Sequence, residues 1–206
     1  MHSDPGRGAP DGNTAFRIGS ITKVFTALMT LMLRDSSMLR SIDENVTDYL
    51  PQFSIKNRFQ TQREITFRQL MSHMAGLPRN PPCEGLFVTG CSLTDSEIYA
   101  NLAQMELMYP PGKQPAYSNL GFGLLGRTLE KITQSKWEDA VQLMVFNTLG
   151  MNNSGNSFTP ESVKQLAVGY YPNGSEAGKF LARCYSAPRE RVWDMATEQL
   201  VAQEFN

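Results

Sequence analysis

The chain has 206 residues, 41% of them hydrophobic and 19% charged, with a net charge of −1. That length supports one sizeable core or two small ones. The near-neutral balance gives no reason to expect nucleic acid or an anionic membrane surface as partner, and aromatic residues at 10% argue against a wholly disordered chain.

Residues Met1 to Gly12 are rich in Gly, Pro and Asp and read as a disordered lead-in. They hold no apolar stretch of the signal-peptide kind. Phe16 to Ile18 is a short apolar approach. A helix is expected from Ser20 or Ile21 to about Leu33, with Val24, Leu28, Leu31 and Met32 at helical spacing and Ser20 as candidate N-cap. The apolar run from Val24 to Leu33 is shorter than the roughly 20 residues a membrane span needs, and reads as a buried helix.

Asp43 to Leu50 reads as a short helical or irregular turn stopped by Pro51. Ile65 to Met74 is a second helix, opened by Thr66 as candidate cap and closed by Gly76 and Pro78. A loop over Pro81 to Leu93 precedes a helix from Thr94 to Met105, whose first turn carries Asp95 and Glu97. Pro110-Pro111-Gly112 is a tight turn. Further helices are expected over Leu120 to Ile132 and Trp137 to Phe146. Val168 to Tyr171 is a strand candidate, and Arg191 to Gln203 fits a surface helix. The resulting division is a lead-in over 1–12, a main domain over 13–173 and a divergent tail over 174–206.

Two short motifs carry chemistry. In Ser20-Ile21-Thr22-Lys23, residues three apart share one helix face, so hydroxyl and ammonium would sit side by side. A serine hydroxyl becomes a useful nucleophile when a base or cation eases its deprotonation, and a desolvated lysine can take that part. The second motif is Tyr117-Ser118-Asn119. A phenol beside ammonium groups can take and return a proton, and the asparagine can hold the lysine or a substrate amide. The bland alternatives are an N-cap and a solvated lysine in the first case. In the second they are a packed tyrosine followed by an Asn helix cap. Each motif alone is weak.

The three cysteines, Cys83, Cys91 and Cys184, have no zinc-ligand spacing. Cys83 and Cys91 flank a Gly-containing loop, either as a disulfide that closes it or as two free thiols. A disulfide there, together with glycosylation sequons at Asn45, Asn152 and Asn173, points toward an extracellular or lumenal compartment for the full-length protein.

Taken together and in order, these blocks resemble a known family. Phe16-Arg17-Ile18-Gly19-Ser20-Ile21-Thr22-Lys23-Val24-Phe25-Thr26-Ala27 resembles the nucleophile segment of the β-lactamase-related serine hydrolases, which include class C β-lactamases, D-amino-acid carboxypeptidases and penicillin-binding esterases. Ser41-Ile42-Asp43-Glu44 through Tyr49-Leu50-Pro51, and Ile65-Thr66 through His73 with Gly76-Leu77-Pro78, resemble its next two blocks. Pro111-Gly112, Tyr117-Ser118-Asn119, Gly121 through Gly126 and Leu149-Gly150-Met151 are similar to its later run. The animal β-lactamase-like proteins are the most similar subgroup, on the looser ground of the Cys83–Cys91 loop and the Met-rich helices.

The resemblance implies an α/β (α+β) fold of the β-lactamase/transpeptidase type, here mostly its helical part with an incomplete antiparallel sheet. It implies Ser20 as acylated nucleophile, Lys23 as its partner, Tyr117 as general acid or base and Asn119 as a substrate-positioning group. The reaction would be acyl transfer through a serine ester on an amide, ester or lactam, in a small-molecule or peptide substrate. No metal or organic cofactor is implied. His73 invites a Ser-His reading, but the block around it implies a packing or hydrogen-bonding role. The family's third motif, Lys-Thr-Gly or His-x-Gly, has no match after Tyr117, and its opening hairpin is absent. The expectation is therefore a partial domain with apolar helix faces uncovered. The alternative reading is a catalytically inactive relative serving as an interaction or assembly module. Oligomeric state and natural substrate stay open.

Overall fold

The computed structural model describes residues 9–59, 64–83, 93–156 and 165–167, together with the backbone of Val201–Ala202. Strand β1, Phe16–Arg17, pairs antiparallel with β2, Val201–Ala202, Phe16 standing opposite Ala202. Next to β1, Ala15 makes a parallel bridge to Leu166, its N–H bonding to the Gln165 carbonyl at 2.9 Å. The surface helix expected over Arg191 to Gln203 falls almost wholly outside the described residues. Its one described pair is strand, because the open edge of β1 offers backbone partners that a helix would leave unused. The strand candidate Val168 to Tyr171 also lies outside them.

A 3₁₀ turn over Gly19–Ile21 leads into α1, Thr22–Asp35. Gly19 has φ +50°, with open space where a Cβ would stand. A glycine serves there for the sign of φ rather than for room. Ser20 is not the N-cap of α1: Ile21 occupies that place, with no side-chain bond.

The buried face of α1 also differs from the periodic apolar face. Val24 is 64% exposed, Ile21 60% and Leu28 38%. Thr22, Lys23, Thr26, Met29, Thr30 and Leu33 point inward instead. The helix tolerates this because the Thr30 hydroxyl donates to the Thr26 carbonyl within its own turn, at 2.9 Å. Leu31 and Met32 are half-buried.

Helix α2 covers only Phe67–Met71, opened by a reciprocal capping box between Thr66 and Gln69. The expected stretch to Met74 stops early because His73 turns into the left-handed region at φ +58°. At Gly76, φ +71°, a Cβ would stand 2.0 Å from the Tyr109 carbonyl oxygen, so that position admits only glycine. Helix α3, Asp95–Leu102, opens with a second capping box, Thr94 with Glu97. Helix α4, Asn119–Thr133, is capped by Ser118.

Helix α5, Trp137–Val141, passes through a π turn over Gln142–Phe146 into α6, Asn147–Leu149, which ends at Gly150 with φ +67°. The π turn adds a residue to the winding. It sits where Val145 and Phe146 are both buried, the latter edge-on to Phe25 at 5.5 Å. Helices α1, α4 and α5 pack together, and α2 lies against α4. The core between them includes Met29, Leu33, Phe67, Leu70, Leu120 and Leu124. Among the described residues the architecture is mostly helical, with a single two-stranded pairing.

The orientation of α1 can be tested directly. Val24→Lys is expected to change unfolding free energy by less than about 0.5 kcal/mol. Met29→Ala should cost about 2–5 kcal/mol through the cavity it leaves. Denaturant midpoints measure both, and the opposite ranking would place the wrong face inward.

Candidate active site

Ser20 and Lys23 share one helical face, as their spacing predicts. The Lys23 Nζ donates to Ser20 Oγ at 3.3 Å. The ammonium is largely enclosed, the residue being 6% exposed. It lies 5.0 Å from the centroid of the Tyr117 ring and 5.7 Å from that of Phe122. Aromatic faces are favourable company for a cation taken out of water.

Tyr117, 97 residues further along the chain, donates its hydroxyl to Ser20 Oγ at 2.7 Å. Ser20 Oγ thus accepts from an ammonium and a phenol at once. Any negative charge developing on that oxygen would meet both donors without further movement. The Arg79 guanidinium lies on the Tyr117 ring as well, 5.0 Å from its centroid. Arg79 is exposed, so this corner of the site carries an accessible cation.

The tyrosine is placed by what precedes and follows it. Ser118 Oγ donates to the Pro78 carbonyl at 2.7 Å and accepts the Gly121 N–H at 2.9 Å, which caps α4. The Asn119 and Leu120 N–H groups both bond to the Arg79 carbonyl, at 2.7 and 3.3 Å. The Asn119 side chain donates to Asn80 Oδ1 at 2.9 Å. That leaves Asn119 Oδ1 buried with no hydrogen-bond partner. A buried acceptor of that kind is poised for a donor.

His73 is close to this cluster. Its Nδ1 accepts the Ser118 N–H at 3.2 Å, and its ring lies 4.5 Å from the Tyr117 ring and 5.1 Å from that of Phe122. Burial, and then the Lys23 charge, hold its pKa below the ordinary histidine value. It makes a hydrogen-bonding and packing contribution to the cluster. Sequence reading missed Arg79 and Asn80. The only signal for them was their place directly after Gly76-Leu77-Pro78.

Cys83 takes part in a disulfide. Cys91 and Cys184 lie outside the described residues, as does His2. Among the described residues no group of His, Cys, Asp and Glu side chains could hold a metal ion, and no helix is long and apolar enough to cross a membrane.

Residues 2–190 match the family model Beta-lactamase. Beta-lactamase-like protein 2 of Dictyostelium discoideum is 43% identical over 167 residues, covering 79% of this chain and 30% of that protein. Putative beta-lactamase-like 1 of Homo sapiens is 33% identical over 180 residues, covering 85% of this chain and 35% of that one. Among solved structures, the beta-lactamase/D-alanine carboxypeptidase from Yersinia pestis superposes with a TM-score of 0.76 at 24% identity, covering 97% of this chain and 53% of its own. A class C beta lactamase from Rhodobacter sphaeroides gives 0.74 at 23%, covering 98% and 51%. The chain spans about a third of these curated relatives and about half of these solved structures. At such identities the structural likeness shows the fold.

The lock beneath Tyr117 yields a prediction. Ser118→Ala removes both a buried acceptor for Gly121 and the donor to Pro78. It should cost about 1–2 kcal/mol, read as a melting temperature lower by about 2–4 °C per kcal/mol. An unchanged melt would mean that the bonds made by Ser118 do not hold the start of α4.

Proposed function

This chain belongs to the beta-lactamase family, and on that premise we propose that Ser20 is the nucleophile of an acyl-transfer reaction on an amide, ester or lactam. The observation that carries the reading is the convergence of Lys23 Nζ and Tyr117 OH on Ser20 Oγ, at 3.3 and 2.7 Å. A hydroxyl at a helix start that accepts from a buried cation and a phenol has no capping duty to explain it.

In the proposed sequence Tyr117 must first give up the proton it donates to Ser20 Oγ; Ser20 Oγ then attacks the carbonyl carbon of the substrate while the serine proton passes to the Tyr117 oxygen. The oxygen charge that develops on the substrate carbonyl needs N–H donors about 2.7–3.1 Å away. The Ser20 backbone N–H would supply one. The leaving group then departs with the proton held by Tyr117. Water, deprotonated by the same phenolate, attacks the ester carbon, and Ser20 recovers its proton as the acid leaves. Lys23 keeps a positive charge beside both oxygens throughout. Asn119 would hold the substrate amide with its unpartnered Oδ1.

The alternative reading is a non-catalytic relative kept as an interaction module.

Incubation of the chain with a fluorophosphonate or a β-lactam, followed by intact-mass and peptide analysis, separates the two readings. The expected result is one adduct on Ser20, abolished in Ser20→Ala. Tyr117→Phe should slow labelling on the order of 100-fold or more, the usual scale for losing a positioned acid–base group. An unlabelled chain, or an adduct that persists in Ser20→Ala, would exclude the nucleophile assignment.

A further inference from the structure

His73 sits at an unusual place in the backbone. Its φ of +58° is in the left-handed region, which a non-glycine residue occupies only at a cost. That conformation aims two acceptors of one residue at one passing segment. The His73 carbonyl accepts the Ala116 N–H at 2.8 Å, and its Nδ1 accepts the Ser118 N–H at 3.2 Å. The residue between those two amides is Tyr117. Its ring then rests on the imidazole, 4.5 Å between centroids at 36°. Both ends of the tyrosine's backbone are therefore held by His73, and so is one face of its ring.

We propose that His73 is a positioning residue that works only as neutral imidazole: it holds the phenol of Tyr117 against Ser20 Oγ, and taking up a proton releases Tyr117 from that place. The argument rests on hydrogen-bond polarity. A backbone N–H can only donate, so Nδ1 must present its lone pair, and the ring hydrogen belongs on Nε2. Protonation would set N–H against N–H at the Ser118 contact.

It would also add a cation where cations already gather. Lys23 faces the imidazole from α1 and Tyr117 from the approach to α4. Phe122 faces it from α4, and Arg79 lies on the Tyr117 ring from the segment after α2. The charged members of that set, Lys23 and Arg79, are both positive and cannot offset an imidazolium. Burial and Lys23 already hold the His73 pKa below the ordinary value. The sign follows: the neutral form, and the placement of Tyr117, are fully present above about pH 6.5. They are lost as pH falls through the lower folded-state pKa.

The proposal rests on the acyl-transfer reading for its consequence in catalysis, so its test uses two readouts. The first is NMR of the chain with labelled histidine and tyrosine. Neutral His73 should carry its hydrogen on Nε2, and the Tyr117 ring signals should shift with the same midpoint as His73, below 6.5. The second is the rate at which a fluorophosphonate labels Ser20 across pH. It should show an acid limb at that midpoint.

Two variants complete the test. His73→Leu removes the acceptor and should slow labelling on the order of 100-fold, the scale of a small misplacement of a reacting group. His73→Asn tolerates the positive φ and offers Oδ1 near the place of Nδ1. It should restore labelling over His73→Leu and abolish both the acid limb and the pH response of Tyr117. Tyr117 signals that ignore the His73 titration, a neutral ring protonated on Nδ1, or an acid limb that survives in His73→Asn would each overturn the proposal. Failure of the acyl-transfer reading looks different. The wild-type chain is then unlabelled at every pH, while the Tyr117 response to the His73 titration still decides the positioning claim.

Discussion

Lys23 is a cation inside a helical body, and burying a charge is among the most expensive things a fold can do. The cost is contained here by local means. The ammonium donates to Ser20, three residues earlier in the 3₁₀ turn that leads into its helix. It is flanked by the ring of Tyr117, on the approach to α4, and by that of Phe122 within α4. To keep the lysine there, α1 must present to α4 the face that also carries Thr22, Thr26 and Thr30, all fully enclosed. Ile21, Val24 and Leu28 are left on the outside as a consequence. A helix chosen for apolar burial alone would be rolled the other way.

The opposite wall depends on how α4 begins. Three short segments meet there: the stretch after α2, the approach to α4, and the helix itself. They are joined by backbone groups more than by long side chains. Ala116 bonds to His73, Ser118 to Pro78, and Asn119 and Leu120 to Arg79. Backbone bonds have little freedom to lose, so a tyrosine suspended between them keeps its hydroxyl on Ser20 without further restraint. Gly76 belongs to the same device. The chain can pass under Tyr109 only without a side chain, and that passage brings residues 77–80 beneath α4.

The sequence made one pair of this site readable by arithmetic alone. Ser20 and Lys23 are three apart on a helix, and helical geometry does the rest. Tyr117 was reachable only through the resemblance of a whole series of blocks, because no local rule links residues separated by 97 positions. The capping signal at Thr66 translated directly into structure, since an N-cap depends on residues within one turn. The extent of the following helix did not. The left-handed turn at His73 is imposed by the tertiary bonds to Ala116 and Ser118, which no window of sequence contains. The π turn over Gln142–Phe146 was invisible for a similar reason: it answers to Phe25 on another helix.

The misreading of α1 has a more general cause. Apolar residues occur on both sides of that helix, so periodicity identifies two candidate faces and cannot rank them. The ranking comes from the polar residues. Three threonines and a lysine on one side look like a solvent face. Yet threonine hydroxyls can bond back into their own turn, as Thr30 does to Thr26. The lysine has a serine one turn away and an aromatic wall across from it. Thr30 and Lys23 are thus provided for inside, while the Thr26 hydroxyl is buried without a hydrogen-bond partner. A helix that carries a reactive pair is oriented by that pair, and its apolar side is left facing outward.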